Sequence, residues 1–245
     1  MRKARFYFGI FTLSLLLAAC SGNSKQPADY TDTTSVTESP VVSHNYSVED
    51  VPADMTVLEK KQRFSALVLP VIEEVHAELM ELYKEVGRLI DSGSDSLQLA
   101  GLRKKYRAPG NLALLQAIKP HPVSIALAQA AMESAWGTSR LFQTANNLFG
   151  VWSLNADEPR IAAGQKRGDK TIWMRKYSSI NEAVSDYYLI LARAHAFSEF
   201  RALRMQTNDP FSLVTELDNY SEKGSAYGEV LAAMIRYNGF EQYDR

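Results

Sequence analysis

The stretch Ser124-Ile-Ala-Leu-Ala-Gln-Ala-Ala-Met-Glu-Ser-Ala-Trp-Gly137 decides the fold of this 245-residue chain. Its apolar residues recur at helical spacing and most of them are small, so the pattern predicts a deeply placed helix with other helices packed close to it. Pro122 suits the first turn of that helix, because the N–H that proline lacks would have no helical partner there. Gly137 is expected to end the helix.

Glu133 is the one carboxylate that this stretch places in its apolar helix. A charged and unpaired carboxylate is unfavourable in such surroundings, so its pKa is expected to rise. A glutamate with a raised pKa beside an open cleft can act as a general acid near neutral pH. The alternative is a structural glutamate at a helix end, paired with a neighbour such as Arg140.

A second motif, Asn146-Asn-Leu-Phe-Gly-Val-Trp152, follows this helix. In their order and separation, Glu133-Ser-Ala-Trp-Gly137 and Asn146-Asn-Leu-Phe-Gly150 resemble the glucosaminidase domain of glycoside hydrolase family 73, in its Bax-like branch. The resemblance covers roughly residues 57–240. It implies a mainly α, lysozyme-like helical domain with a small β-hairpin lobe that closes one side of a cleft.

The resemblance also implies roles for particular residues. Glu133 would be the general acid. Tyr220 would be an active-site tyrosine and Tyr227 a cleft-wall or packing residue, since they match the two tyrosines of the family's closing motif. Many members read Tyr-Ala-Thr-Asp-Pro at the first tyrosine, whereas this chain reads Tyr220-Ser-Glu-Lys-Gly224, so only the tyrosines carry over.

Side chains around the two motifs are candidates for sugar binding. Amides can hydrogen-bond to hydroxyls and acetamides, and aromatic rings can stack on sugar faces. The candidates are Trp136, Asn146, Asn147, Phe149 and Trp152. The alternative for the asparagines is a structural turn, because asparagine tolerates left-handed geometry. For Phe149 the alternative, packing in the core, is favoured.

The resemblance also implies a second catalytic carboxylate in the β-lobe, at residues 151–176. There Ile161–Gln165 and Thr171–Lys176 are predicted to pair as a hairpin. Asp157 and Glu158 are the candidates, with Asp169 at the hairpin turn, but spacing marks none of them, and such a residue is more often a solvated loop charge than a catalyst. Without a second carboxylate, the 2-acetamido group of the substrate would be the nucleophile, a known exception to the two-carboxylate scheme.

The N-terminus reads as a bacterial lipoprotein signal. Three basic residues precede an apolar run that ends in Leu17-Ala-Ala-Cys20, which looks like a lipobox. Residues 1–19 would be removed, Cys20 lipidated, and residues 20–50 left as a disordered tether. The alternative is an uncleaved anchor, for which the run is short. Ser21 after the cysteine favours the periplasmic face of the outer membrane.

The remaining sequence divides into an N-terminal helical region, 51–118, and a catalytic core, 119–245. Pro70 is expected to kink or divide the long helix of the first region. Ser179 and Glu182 form the pattern of a capping box at the start of a later helix. Besides the helix of Glu133, the predicted helices are 57–90, 96–106, 110–117, 139–143, 180–194, 197–205 and 210–217.

Charge and composition exclude several function classes. Removing Arg2, Lys3 and Arg5 with the signal leaves 24 basic and 28 acidic residues, a net charge near −4. Nucleic-acid binding needs a basic footprint, which this balance does not supply. We expect no metal site and no cofactor, because the four histidines are scattered and the single cysteine lies in the signal.

These observations predict a peptidoglycan hydrolase. It would cleave the β-1,4 bond between N-acetylglucosamine and N-acetylmuramic acid in glycan strands. The protein is expected to be a monomer that is held at the membrane by its lipid anchor. Two alternatives remain open at this point. One is a lytic transglycosylase, which would leave 1,6-anhydro ends, and the other is a lipoprotein that binds peptidoglycan without cleaving it.

Overall fold

The computed structural model describes residues 47–48, 51–93, 97–167 and 170–244, which all belong to one compact unit. The predicted signal peptide, Cys20 and nearly all of the predicted tether lie outside these residues. The elements in chain order are α1 (Val57–Asp91), α2 (Leu97–Tyr106), α3 (Asn111–Ile118), α4 (Val123–Glu133), α5 (Arg140–Ala145), β1 (Arg160–Arg167), β2 (Lys170–Arg175), α6 (Ile180–Arg193), α7 (Ser198–Arg204), α8 (Pro210–Leu213) and α9 (Ser225–Asn238). Short 3₁₀ turns lie at His195–Phe197, Val214–Glu216, Asp218–Tyr220 and Phe240–Tyr243.

This element order confirms a mainly α fold with one small β-hairpin. The helices fall close to their predicted bounds, except that α8 is a short helix continued by the 3₁₀ turn Val214–Glu216. Within the described ranges, no helix has both the length and the apolar character needed to cross a membrane.

Helix α1 begins at a capping box. The hydroxyl of Thr56 accepts from the Glu59 N–H at 3.3 Å, and the Glu59 carboxylate accepts from the Thr56 N–H at 2.7 Å. The helix then continues through Pro70 to Asp91, so the expectation that proline would divide it is wrong. Pro70 is exposed, whereas Val68 and Ile72 on either side are buried. The apolar contacts of the inner face therefore hold the helix together while the proline ring faces solvent.

Helix α4 lies at the centre of the fold, as its small apolar residues predicted. Every residue from Val123 to Ala131 is buried, and the helix packs against α1, α9 and the C-terminal turn Phe240–Tyr243. Burying Ile125 and Leu127 completely contributes roughly 1.5–3 kcal/mol each. The alanines between them let the neighbouring helices approach closely, which explains how one short helix can be surrounded by three elements.

The end of α4 differs from the prediction. The helix ends at Glu133, four residues before Gly137. The Ser134 hydroxyl donates to the Ala130 carbonyl, which also accepts from the Ser134 N–H, and the hydroxyl accepts from the Gly137 N–H. Three left-handed residues follow, Ala135, Trp136 and Gly137, with φ of 51°, 59° and 74°. Two of them are not glycine, so the turn stores backbone strain directly beside Glu133.

The hairpin lies where it was predicted. Strands β1 and β2 pair antiparallel, with Arg160 opposite Arg175 and Arg167 opposite Lys170, and with an irregular register between Ala162 and Lys166. Its turn residues, 168–169, and with them Asp169, lie outside the described ranges. Residues 151–153 extend the lobe, since the Ser153 N–H donates to the Trp173 carbonyl.

Helix α6 confirms its predicted N-cap, Ser179, whose hydroxyl accepts from the Glu182 N–H at 3.1 Å. The return contact of the predicted capping box differs. The Glu182 carboxylate accepts from the N–H and the hydroxyl of Ser178, one residue earlier. This carboxylate therefore holds Ser178, the residue before the N-cap, and does not contact the backbone of the cap residue Ser179.

Gly228 marks the closest approach between α9 and the turn Val214–Glu216. A Cβ added there would lie 2.5 Å from the Val214 carbonyl oxygen, a backbone atom that cannot rotate away. We expect Gly228→Ala to lower the free energy of unfolding by about 1–3 kcal/mol, although alanine is the better helix former. Urea unfolding measures this. The control is Gly101→Ala in α2, where no atom lies within 4 Å of the added Cβ; equal midpoints for the two variants would contradict the packing.

Candidate active site

Glu133 is the last residue of α4, where the buried helix meets the surface. Its side chain keeps partial exposure while its surroundings are largely apolar. Burial raises the pKa of Glu133 from 4.5 to about 7, against the hydrogen bond from Tyr227 and the charge of Lys223, which both lower it. At neutral pH this side chain can therefore carry a proton and give it up, as a general acid must.

The tyrosine that contacts Glu133 is Tyr227, not Tyr220. The Tyr227 hydroxyl lies 3.1 Å from Glu133 Oε1 and 3.0 Å from Gln129 Nε2. Tyr220 is stacked on Tyr227, with ring centroids 5.4 Å apart, and is buried behind it. This corrects the expectation that Tyr227 is a wall or packing residue. The reason is tertiary, because α9 is packed along α4 and brings residue 227 to the end of that helix.

Gln129 belongs to the same cluster and was missed in the sequence. It is fully buried, one turn before Glu133 on the same helix. Its spacing of four residues from Glu133 places both side chains on one helix face, which is the signal that could have identified it. A buried amide needs partners, and those of Gln129 are Tyr227 and Tyr187.

Arg140 does not pair with Glu133. Its guanidinium donates to the Ala162 carbonyl at 2.7 Å and so ties α5 to the hairpin. The structural alternative for Glu133, an ion pair with this arginine, is therefore wrong. Because no positive charge of Arg140 offsets the burial of the carboxylate, burial remains the dominant influence on the pKa of Glu133.

Three of the predicted sugar-binding residues are partly exposed: Trp136, Asn146 and Trp152. Trp136 lies three residues after Glu133 and packs edge-on against Phe64 at 5.5 Å. Asn146 is the left-handed C-cap of α5, with its amide donating to the Tyr177 carbonyl. Trp152 pairs with Met174 at the hairpin, and its indole N–H has no partner among the described residues.

Asn147 and Phe149 lie in the interior, where a glycan cannot reach them. The Asn147 amide donates to the Val151 and Arg175 carbonyls, and its oxygen accepts from the Val151 N–H. Phe149 is 1% exposed and stacks on Tyr187 with ring centroids 3.9 Å apart. These contacts correct the prediction that Asn147 binds sugar, because every polar atom of its side chain is used to hold the loop. Phe149 packs in the core, as was favoured for it over sugar binding.

The two candidate second carboxylates lie before the hairpin. Asp157 is exposed in the loop. Glu158 Oε2 lies 3.3 Å from Arg175 Nε, and Arg175 also pairs with Asp186 at 2.6 Å. Glu158 lines a cavity of about 450 Å³ whose lining also includes α1, α3 and α6 but not Glu133. The contacts of Glu158 are those of a structural ion pair at the base of the lobe.

Within the part of the chain that the structure describes, no group of three or more His, Cys, Asp or Glu side chains could hold a metal ion. The chemistry that this arrangement can perform with its own groups is proton transfer by Glu133, with Tyr227 as its hydrogen-bonding partner.

Comparisons with known proteins agree on one family. A family model described as mannosyl-glycoprotein endo-beta-N-acetylglucosaminidase, the glucosaminidase model, matches residues 102–240. The chain is 32% identical over 161 residues to Protein bax of Escherichia coli (strain K12), covering 60% of this chain and 57% of that protein. It is 26% identical over 138 residues to Exo-glucosaminidase LytG of Bacillus subtilis (strain 168), covering 49% of this chain and 45% of that protein. It therefore spans about half the length of these curated relatives.

Among solved structures, the catalytic domain of the autolysin Auto from Listeria monocytogenes is similar, with 22% identity and a TM-score of 0.46, over 78% of this chain and 92% of that one. The glycoside hydrolase domain of FlgJ from Salmonella typhimurium is 27% identical, with a TM-score of 0.39, over 58% of this chain and 95% of that one.

Proposed function

The chain belongs to the glucosaminidase family, and from this premise we propose that it is a peptidoglycan hydrolase that cleaves the β-1,4 bond between N-acetylglucosamine and N-acetylmuramic acid. The match to the family model includes Glu133 and both tyrosines, Tyr220 and Tyr227. One observation carries the proposal: a partly exposed glutamate at the end of a buried helix, contacted by a tyrosine hydroxyl, with its pKa raised to about 7.

In the first step Glu133 donates its proton to the glycosidic oxygen, which leaves as the hydroxyl of the departing sugar. In the second step the Glu133 carboxylate accepts a proton from the water that attacks the anomeric carbon. Tyr227 contacts Glu133 Oε1 and can donate a hydrogen bond to this carboxylate between the two steps. One residue thus serves as acid and then as base, which requires a pKa near the working pH.

The nucleophile of the first step is the substrate's own acetamide. The carbonyl oxygen of the 2-acetamido group attacks the anomeric carbon as the leaving oxygen takes the proton, and water later opens the resulting ring. Two observations favour this over a second carboxylate. Glu158 is paired with Arg175, and Asp157 is exposed in the loop before the hairpin. Tyr220, stacked behind Tyr227, would hold that tyrosine ring in place beside Glu133.

Trp136, Asn146 and Trp152 would contact the glycan strand. All three keep partial exposure, and two of them are aromatic rings that can stack on sugar faces. The glycan is a long polymer, so a surface of this kind binds several sugars on either side of the bond that is cut.

The setting of the enzyme follows from its N-terminal sequence. Removal of residues 1–19 and lipidation of Cys20 would anchor the chain to the periplasmic face of the outer membrane. If the predicted tether of about 30 residues behaves as a random coil, it would span roughly 30 Å on average, which would let a monomeric domain reach the cell wall. The division into an N-terminal helical region, 51–118, and a catalytic core, 119–245, remains a prediction.

Digestion of purified peptidoglycan, with mass spectrometry of the released ends, tests the function. We expect reducing N-acetylglucosamine ends. Release of 1,6-anhydro-muramyl ends would instead assign the chain to the lytic transglycosylases. Capture of the protein on peptidoglycan without release of fragments would overturn the proposed hydrolysis in favour of a binding lipoprotein.

A further inference from the structure

Four buried side chains connect Glu133 to the far end of α4: His121, Tyr187, Gln129 and Tyr227, here called the His121 relay. Each is 1% exposed or less. The links are His121 Nε2 to the Tyr187 hydroxyl at 3.0 Å, that hydroxyl to Gln129 Oε1 at 2.5 Å, Gln129 Nε2 to the Tyr227 hydroxyl at 3.0 Å, and that hydroxyl to Glu133 Oε1 at 3.1 Å. The mechanism above uses only the last link.

One end of the relay has a fixed direction. His121 Nδ1 lies 3.1 Å from the carbonyl oxygen of Pro122, and a carbonyl oxygen can only accept a hydrogen bond. Nδ1 must therefore carry a proton. A neutral His121 then has a lone pair at Nε2 and must accept a hydrogen bond there, from the Tyr187 hydroxyl.

The hydrogen bonds of the relay can run in two directions. If they run so that Tyr227 donates to Glu133, His121 cannot be neutral. In that direction the single proton of Tyr187 goes to Gln129, so Nε2 of His121 must donate as well, and the ring must be a cation. Its surroundings do not favour a cation, because His121 is fully buried beside the rings of Tyr188 and Phe200, away from the water that would solvate the charge. Burial lowers the pKa of His121 to about 3, and the charge of Arg204 acts in the same direction.

The opposite direction satisfies every link with a neutral His121. A half-turn of the Gln129 amide exchanges its oxygen and nitrogen at the same two positions, and the hydrogen-bond network decides between these orientations. The amide nitrogen then donates to Tyr187, and Tyr227 donates to the amide oxygen. The Tyr227 oxygen is left as an acceptor, so the proton of the last link must belong to Glu133.

We propose that the His121 relay holds Glu133 in its protonated form, and that His121 is a positioning residue for the general acid although it does not touch the site. The proposal rests on the proposed function for its role in catalysis, but the protonation of Glu133 can be measured without any substrate. If Glu133 loses its proton, every hydrogen bond of the relay must reverse its direction. The Tyr187 oxygen and the Nε2 lone pair of His121 then face each other as two acceptors with no proton between them. An unmatched buried acceptor is unfavourable, so the relay resists ionisation.

Other charged and titratable side chains of the described residues act on the two ends of the relay. Around Glu133 they are Tyr220 and Tyr227, with Lys223, whose charge favours ionisation of the carboxyl. Around His121 they are Tyr187 and Tyr188 of α6, Arg204 of α7 and His76 of α1. Arg204 and His76 both act against a charged His121, so they strengthen the direction of the relay.

The test is a carbon-13 NMR titration of the Glu133 carboxyl in the full-length chain labelled at glutamate, with Glu133→Gln to assign the signal. His121→Phe keeps a ring of similar size but removes the acceptor, so Tyr187 can donate to Gln129 and Tyr227 to Glu133 without a mismatch. We expect the titration midpoint of Glu133 to fall by about one pH unit. Tyr187→Phe interrupts the relay at its next link and should shift the midpoint in the same direction.

Tyr188→Phe is the matched control. Its hydroxyl is buried on the same helix turn and has no hydrogen-bond partner among the described residues, so removing it should leave the midpoint unchanged. If His121→Phe does not fold, Tyr187→Phe alone decides the question. Midpoints in the folded relay variants that equal those of the wild type and of Tyr188→Phe would overturn the proposal.

The pH dependence of cleavage gives a second measurement. Activity that needs protonated Glu133 is lost as the pH rises through its pKa, so a lower pKa moves the alkaline limb to lower pH. At a pH above both values, a shift of one unit reduces the rate about tenfold. If no protein cleaves glycan, the proposed function fails while the titration still decides on the relay. If cleavage occurs but the midpoints do not move, the relay alone fails.

Discussion

Glu133→Gln should reduce the release of peptidoglycan fragments by a factor of about 10²–10⁴, the usual contribution of a general acid, and leave the fold intact. Glutamine has the same shape and can still meet Tyr227, but it has no proton to donate to a leaving oxygen. Fragment release by the purified variant and by the wild type, measured side by side, gives this ratio. Cleavage at the wild-type rate would remove Glu133 from the mechanism.

The same variant should show a gain in stability that depends on pH. The pKa of Glu133 in the folded protein, about 7, lies above its ordinary value of 4.5. The stability that this group contributes is therefore complete below pH 4.5 and is lost as the pH rises through 7. Glutamine does not ionise, so Glu133→Gln should melt at a higher temperature than the wild type at pH 8, with a smaller difference at pH 5.

Glu158→Gln is the matched control for activity. It makes the same chemical change in a carboxylate that is paired with Arg175 and lies outside the Glu133 cluster. We expect it to retain most of the cleavage rate. A loss as large as that of Glu133→Gln would make Glu158 the second catalytic carboxylate and would exclude the acetamide as nucleophile.

Asn147→Ala should lower the free energy of unfolding by about 3 kcal/mol and the melting temperature by roughly 6–12 °C. The substitution removes three hydrogen bonds at once and leaves the Val151 N–H and the Arg175 carbonyl without their asparagine partner, while the Val151 carbonyl still accepts from the Arg175 N–H. These bonds tie the loop after α5 to strand β2. Thermal melting and urea unfolding measure the loss.

Asn208→Ala, at an exposed asparagine between α7 and α8, is the control and should change stability by less than about 0.5 kcal/mol. The cleavage rate of Asn147→Ala, measured well below its melting temperature, distinguishes a structural role of Asn147 from a role in sugar binding. A structural residue leaves cleavage near the wild-type rate once the variant is folded. Unchanged stability with weakened binding of glycan would instead restore Asn147 as a sugar ligand.

Some features of the protein followed from the sequence because they depend on near neighbours. Helical spacing predicted α1 and α4, Ser179 was predicted as the N-cap of α6, and two short extended pieces within residues 161–176 predicted the hairpin. The raised pKa of Glu133 was also predictable, since it depends mainly on the apolar helix that carries it. The end of that helix was not, because Ala135 and Trp136, which are not glycine, take the left-handed conformation there.

What the sequence alone determined is the set of elements and the presence of one carboxylate in an apolar helix. Which side chains surround that carboxylate was decided by tertiary structure. Tyr227 is 94 residues away from Glu133 along the chain, and Tyr187 is 58 from Gln129. Spacing carries no information over such separations, so the choice between Tyr220 and Tyr227, the pairing of Glu158 with Arg175 and the whole His121 relay depend on how α4, α6 and α9 pack. Periodicity and capping are local, whereas a buried polar group takes its partners from whichever elements the core brings beside it.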